Sequence, residues 1–223
     1  MTPIIRGYQV EESNVIIINK MIKNTYMLLS MTLIFSAFTA YISMILNSQP
    51  MGIITLFLYI GLFLITNALR NSIWGIVFVF ILTGFLGYTL GPMLNIIFYG
   101  LINGGQVIIT SLGLTGILFL GLSGYAMISH KNFNFLSGFL FVGLCLTFVA
   151  SIIGLFSNLP IIHLMISTFF ILISAGYILF TTSRIIHGGE RNYVIATISL
   201  YIQIFNLFVS LLHLLSFFAG RRN

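Results

Sequence analysis

Charge is what this sequence most lacks. Only 5% of its 223 residues are Asp, Glu, Lys or Arg, against about 25% in a typical soluble domain. Aspartate is absent, and the three acids are Glu11, Glu12 and Glu190. None of them lies in a long apolar run. A paired-carboxylate acid–base centre therefore has no residues to build it. A calcium cage, which wants several oxygen ligands and usually carboxylates, is equally unsupplied. The single cysteine, Cys145, excludes an internal disulfide and reads as a small buried apolar side chain. Histidines are few and show no HxxxH spacing, so neither a metal nor a cofactor is expected.

Apolar residues fill the gap. They make up 59% of the chain, with a mean hydropathy of +1.12, so the chain reads as an integral membrane protein in contact with the lipid bilayer. Seven apolar runs are long enough to cross it: 25–46, 51–69, 73–90, 107–128, 135–156, 161–182 and 193–219. The fold class is all-α, seven transmembrane helices in a single bundle. The domain division is a polar N-terminal tail (1–24), the bundle (25–219) and a basic end (220–223). The tail carries no cleavable signal, because the first long apolar run lacks a small-residue cleavage site. Gly91-Pro92 is expected to stop the third span, and Ser157-Asn158-Leu159-Pro160 forms the turn after the fifth.

The net charge of +6 comes from residues scattered in short connections, a pattern that reports topology and not nucleic-acid binding. Arg6, Lys20 and Lys23 precede the first span, and Arg70, Lys131, Arg184 and Arg191 lie in the second, fourth and sixth connections. The odd connections carry none. The basic side, with the N-terminus, is expected in the cytoplasm. Arg221 and Arg222 would then lie outside, unless a late segment is re-entrant.

The seventh run carries a polar seam. Ser199, Gln203, Asn206, Ser210 and His213 fall within an arc of roughly 80° on a helix of 3.6 residues per turn. In the sixth run His163, Ser167, Ser174, Tyr177, Thr181 and Arg184 fall within about 100°. Such seams belong inside a bundle. Two readings stand: the seams satisfy each other, or they line a hydrated path. Small residues on shared faces, Gly84, Gly87 and Gly91 in the third run and Gly113, Gly116 and Gly124 in the fourth, point to close helix packing.

Two motifs suggest chemistry. Gly121-Leu122-Ser123-Gly124 matches the GxSG around the rhomboid protease nucleophile, but a serine needs a histidine base within reach, plus oxyanion donors. Gly188-Gly189-Glu190 lacks the spacing of a phosphate loop. No catalytic residue is assigned.

The segment IIHGGERNYVIATISLYIQIFNLFVSLL, with NTYMLLSMTLIFSAFTA, GFLGYTLGPMLN and NFNFLSGFL, resembles the Bax-inhibitor-motif family, most closely its bacterial YccA-like branch. The resemblance covers nearly the whole chain after Lys20. It implies a bundle whose last helix is central, residence in the bacterial inner membrane, and modulation of the membrane-bound AAA+ protease FtsH without catalysis. Other members act as pH-sensitive calcium leaks through a carboxylate pair on the last two helices. The family's LF[DE]T falls on Leu179-Phe180-Thr181-Thr182 and its YLDxxN on Tyr201 to Asn206. The acids therefore correspond to Thr181 and Gln203, which hydrogen-bond but neither titrate near neutrality nor hold a calcium charge. An ion or solute leak with its sensor replaced is the alternative function.

Overall fold

The computed structural model describes residues 3–155 and 159–220, the side chains from residue 16 onward apart from residues 155 and 160. Arg221 and Arg222, the side chains of Arg6, Glu11 and Glu12, and the turn residues Ser157 and Asn158 lie outside that description. The described residues form seven helices and no strand: α1 (Pro3–Ile45), α2 (Ile53–Ala68), α3 (Ile73–Gly100), α4 (Gly104–Ser129), α5 (Leu136–Leu155), α6 (Pro160–Ile186) and α7 (Tyr193–Gly220). Six of them are long and apolar enough to cross a membrane, while α2, with 16 residues, is shorter.

The residues flanking each run explain most boundaries. Ser72 accepts the Trp74 backbone N–H at the start of α3, Pro160 opens α6 where its missing N–H is harmless, and His130 closes α4 in the left-handed region. α1 is one continuous helix from Pro3, so the polar tail is helical and runs into the first apolar run without a break. One expectation is corrected. Gly91-Pro92 does not stop the third helix, which runs through Pro92 to Gly100. Proline removes only one backbone hydrogen bond, and the helix carries on past it for eight residues to Gly100.

α7 is the hub. It buries 67% of its apolar window, against 11% for α5 and 44% for α3, and packs on α1, α3, α4 and α6. Its Leu200, Tyr201, Leu207 and Leu212 are almost wholly enclosed, as are Leu29 of α1, Val79 and Leu82 of α3, and Ile178 of α6. Because lipid tails are as apolar as leucine, this core is held by shape and interhelical hydrogen bonds more than by exclusion from water. At the periphery, α2 leans mainly on α3 and α5 mainly on α6. Most of α5 therefore faces outward, and Cys145 is exposed on it, not buried as expected.

Candidate functional site: the seam cavity and the connecting loop

The α6 and α7 seams meet at a cavity of about 260 Å³ between α2, α6 and α7. Its walls bring together Thr181 and Arg184 from α6 with Ser199 and Gln203 from α7, and add Tyr59 and Phe63 of α2. Tyr177 and Glu190 complete its polar lining. The Tyr59, Tyr177, Thr181, Ser199 and Gln203 side chains make no hydrogen bond to another described residue. Such groups in a membrane protein call for water or a polar ligand. At the rim, the Arg184 guanidinium donates to the Gly189 carbonyl at 3.1 Å and lies 3.6 Å from a Glu190 oxygen. It also stacks 5.6 Å from the centre of the Phe180 ring. The cavity's one cation and one anion thus face each other.

The rest of the α7 seam diverges from this cavity. Asn206 is half-buried, Ser210 is buried, and His213 is exposed on the bundle surface beside the His163 ring of α6. Among the described residues no three His, Cys, Asp or Glu side chains converge as a metal site.

The connection between α6 and α7 gathers one end of the bundle. Asn192 accepts the Val194 and Ile195 backbone N–H groups through Oδ1, capping α7. Its Nδ2 donates to the Arg70 carbonyl at 3.1 Å and to Asn71 Oδ1 at 2.8 Å, in the connection between α2 and α3. Ser183 donates to the Lys131 carbonyl at 3.1 Å and accepts the Phe133 backbone N–H at 3.0 Å, which binds the connection between α4 and α5. Glu190 Oε1 accepts the backbone N–H groups of Arg191 and Asn192, holding the turn. All three even connections are tied here. At the other end Ser48 pairs with Tyr88 at 2.6 Å, and Asn95 donates to the Met44 carbonyl at 2.9 Å.

Two hydroxyl clusters lie within the bundle. Ser123 Oγ is hydrogen-bonded to Tyr26 and to Thr182, the latter at 3.2 Å. The nucleophile position of the GxSG match thus has hydroxyls, and no histidine, as its hydrogen-bond partners. Tyr201 donates to the Thr83 carbonyl at 3.0 Å and meets Ser36 Oγ at 2.6 Å. The two glycine faces differ. A Cβ on Gly84 would strike Phe35, on Gly87 the Ser36 carbonyl and on Gly91 Ser43, all on α1. A Cβ on Gly113, Gly116 or Gly124 would meet nothing within 4 Å. The close packing expected at these three is absent, because α4 turns Ser111, Thr115, Phe119 and Ser123 inward instead.

Sequence comparison places this architecture among known proteins. The family described as "Inhibitor of apoptosis-promoting Bax1" matches residues 18–220. The chain is 46% identical to the "Modulator of FtsH protease YccA" of Escherichia coli K12 over 200 residues, covering 89% of this chain and 90% of the relative. The "Inner membrane protein YccA" of Escherichia coli O6:H1 matches with the same identity and coverage. An uncharacterized membrane protein of Vibrio cholerae is 47% identical over 200 residues, 88% of this chain and 89% of that one. With one family matched across almost its whole length and relatives this similar, the chain belongs to the Bax1-inhibitor family.

Proposed function

We propose that this protein is a multi-pass bacterial inner-membrane protein that modulates the membrane-bound AAA+ protease FtsH by direct interaction, without catalysis of its own. The observation that carries this reading is the similarity to the Escherichia coli modulator over about nine-tenths of both chains. The match runs over 200 residues at 46% identity, so it is not confined to an isolated motif. Ser123, held by Tyr26 and Thr182, supports a structural role for the one serine in a catalytic-looking motif.

In this reading all seven helices cross, with the N-terminus in the cytoplasm. α2 runs from the end where Ser48 meets Tyr88 to the end where Arg70 meets Asn192. At 1.5 Å per residue its 16 residues span about 24 Å, a shortfall that local bilayer thinning accommodates. Lys20, Lys23, Arg70, Lys131, Arg184 and Arg191 gather at the end tied by Asn192, which favours that end for the cytoplasm. The N-terminal turns of α1 extend from it and offer a handle to an ATP-driven unfoldase. Affinity purification of the full-length protein in mild detergent tests the reading: the protease co-purifies. Its absence, under conditions that keep other membrane complexes intact, would sink the idea.

The seam cavity favours a second reading, a leak for a small solute or ion. Its five polar side chains without a hydrogen bond to another described residue support a hydrated path, and the absence of a carboxylate pair at Thr181 and Gln203 argues against calcium as the species conducted.

A further inference from the structure

Another cavity, of about 210 Å³, lies between α1 and α4, with residues of α7 and α3 completing its lining. Both α1 and α4 pack on α7 but scarcely on each other. They meet near one end, where Tyr26 of α1 touches Phe119 and Ser123 of α4. Past that contact they part, and the gap opens sideways onto the bundle surface. Ala37 and Tyr41 on the α1 lip and Leu112 on the α4 lip are all exposed. The small side chains of Ala37 and Ala40 leave the hollow in the α1 wall.

Its chemistry is the opposite of the seam cavity's. Three hydroxyls line the interior, and each is engaged within the protein. Thr115 donates to the Ser111 carbonyl at 2.7 Å. Ser36 and Tyr201 pair with each other, and Tyr201 donates to the Thr83 carbonyl. The rest of the interior is aliphatic or aromatic. Nothing inside calls for water or a polar ligand, so the occupant that fits is apolar. Tyr41 at the mouth differs: it is 61% exposed, and its hydroxyl makes no hydrogen bond to another described residue.

We propose that this groove binds one acyl chain of a phospholipid from the leaflet at the Ser48–Tyr88 end of the bundle. Three observations select that occupant. From Leu33 to Met44 the α1 wall rises about 16 Å at 1.5 Å per residue, which is one leaflet's share of a hydrocarbon core about 30 Å thick. A helix about 10 Å across is too thick to enter a space of this volume. Tyr41 lies about one turn from the end of α1, at the headgroup level where tyrosine is enriched, and its free hydroxyl faces the ester and phosphate oxygens above the chain. The bound chain lies against Tyr201, Ile204 and Phe208 of the hub helix, where it supplies the contacts an empty groove would forfeit.

The test is photolabelling of the full-length protein in vesicles doped with phosphatidylethanolamine that carries a diazirine on one acyl chain, read by peptide mass spectrometry. A diazirine at the chain end should label the level of Leu33 and Ile204, and one near the ester the level of Met44 and Phe208. Ile204 and Phe208 are 8% and 7% exposed, so lipid that merely surrounds the bundle does not reach them. Ala37→Trp, whose ring fills the groove from its exposed lip, should lose the α7 label and keep the label on outward-facing α5. An α7 left unlabelled in the native protein would overturn the proposal. So would α7 label that persists in Ala37→Trp, or label given by a diazirine fatty acid and not by the phospholipid. The native-protein depth order stands as a test even if the variant fails to fold.

Discussion

Tyr201 of α7 and Ser36 of α1 share a hydrogen bond of 2.6 Å, 165 residues apart in the chain, and the same tyrosine hydroxyl donates to the Thr83 carbonyl of α3. One side chain therefore fastens three helices at a point where the hub helix is almost wholly enclosed; Tyr201 is 1% exposed. Tyr201→Phe keeps the ring and removes both bonds. Interhelical bonds in membranes average about 0.6 kcal/mol, and stranding a buried carbonyl adds to that. A loss of about 1–2 kcal/mol is expected in reversible denaturant unfolding from micelles; unchanged stability would mean that packing alone holds the centre.

The two glycine faces give a paired prediction. Gly87→Ala pushes a methyl against the Ser36 backbone carbonyl, which cannot yield as a side chain would, so α1 and α3 must separate. The expected loss is about 1–3 kcal/mol. Gly116→Ala enters open space and gains helix propensity, so its unfolding midpoint should hold or rise slightly. Equal losses at both sites would contradict the assignment of the packing face.

Asn192→Ala removes the cap of α7 and the tie to Arg70 and Asn71 together. A loss of about 1–2 kcal/mol follows from the cap alone. Limited proteolysis should also cut faster between α2 and α3, where the Arg70 carbonyl loses its donor. Cleavage that accelerates only between α6 and α7 would show that the tie contributes nothing.

The seam cavity is tested by flux into proteoliposomes. Gln203→Asp places a carboxylate in the cavity near Thr181, and the leak reading predicts pH-dependent calcium flux in this variant that the native chain lacks. No flux of any tested ion or solute through either protein would remove that reading and leave the cavity structural.

Much of this was legible in the sequence, for identifiable reasons. Helix number and most boundaries follow from local hydropathy, and the α6–α7 pairing at Thr181, Arg184, Ser199 and Gln203 follows from helical periodicity. Asn192, directly before the last apolar run, carried a readable capping signal. Partners across the fold carried none: nothing local to Tyr201 announces Ser36 or Thr83, and nothing in α2 announces that Tyr59 and Phe63 wall the cavity. Pro92 misled because proline costs a helix only one backbone hydrogen bond, and α3 continues through it to Gly100. The α4 glycines misled because spacing defines a face without saying which way it turns.

The central claim is regulation of a membrane protease through contact, and its most direct measurement is proteolytic rate. Purified FtsH reconstituted with a membrane-embedded substrate is assayed with and without this protein at matched amounts in the same vesicles. The rate of substrate loss should change when this protein is present, and removing the helical turns before Lys20 should weaken the effect. An unchanged rate in vesicles shown to contain both proteins would contradict the account.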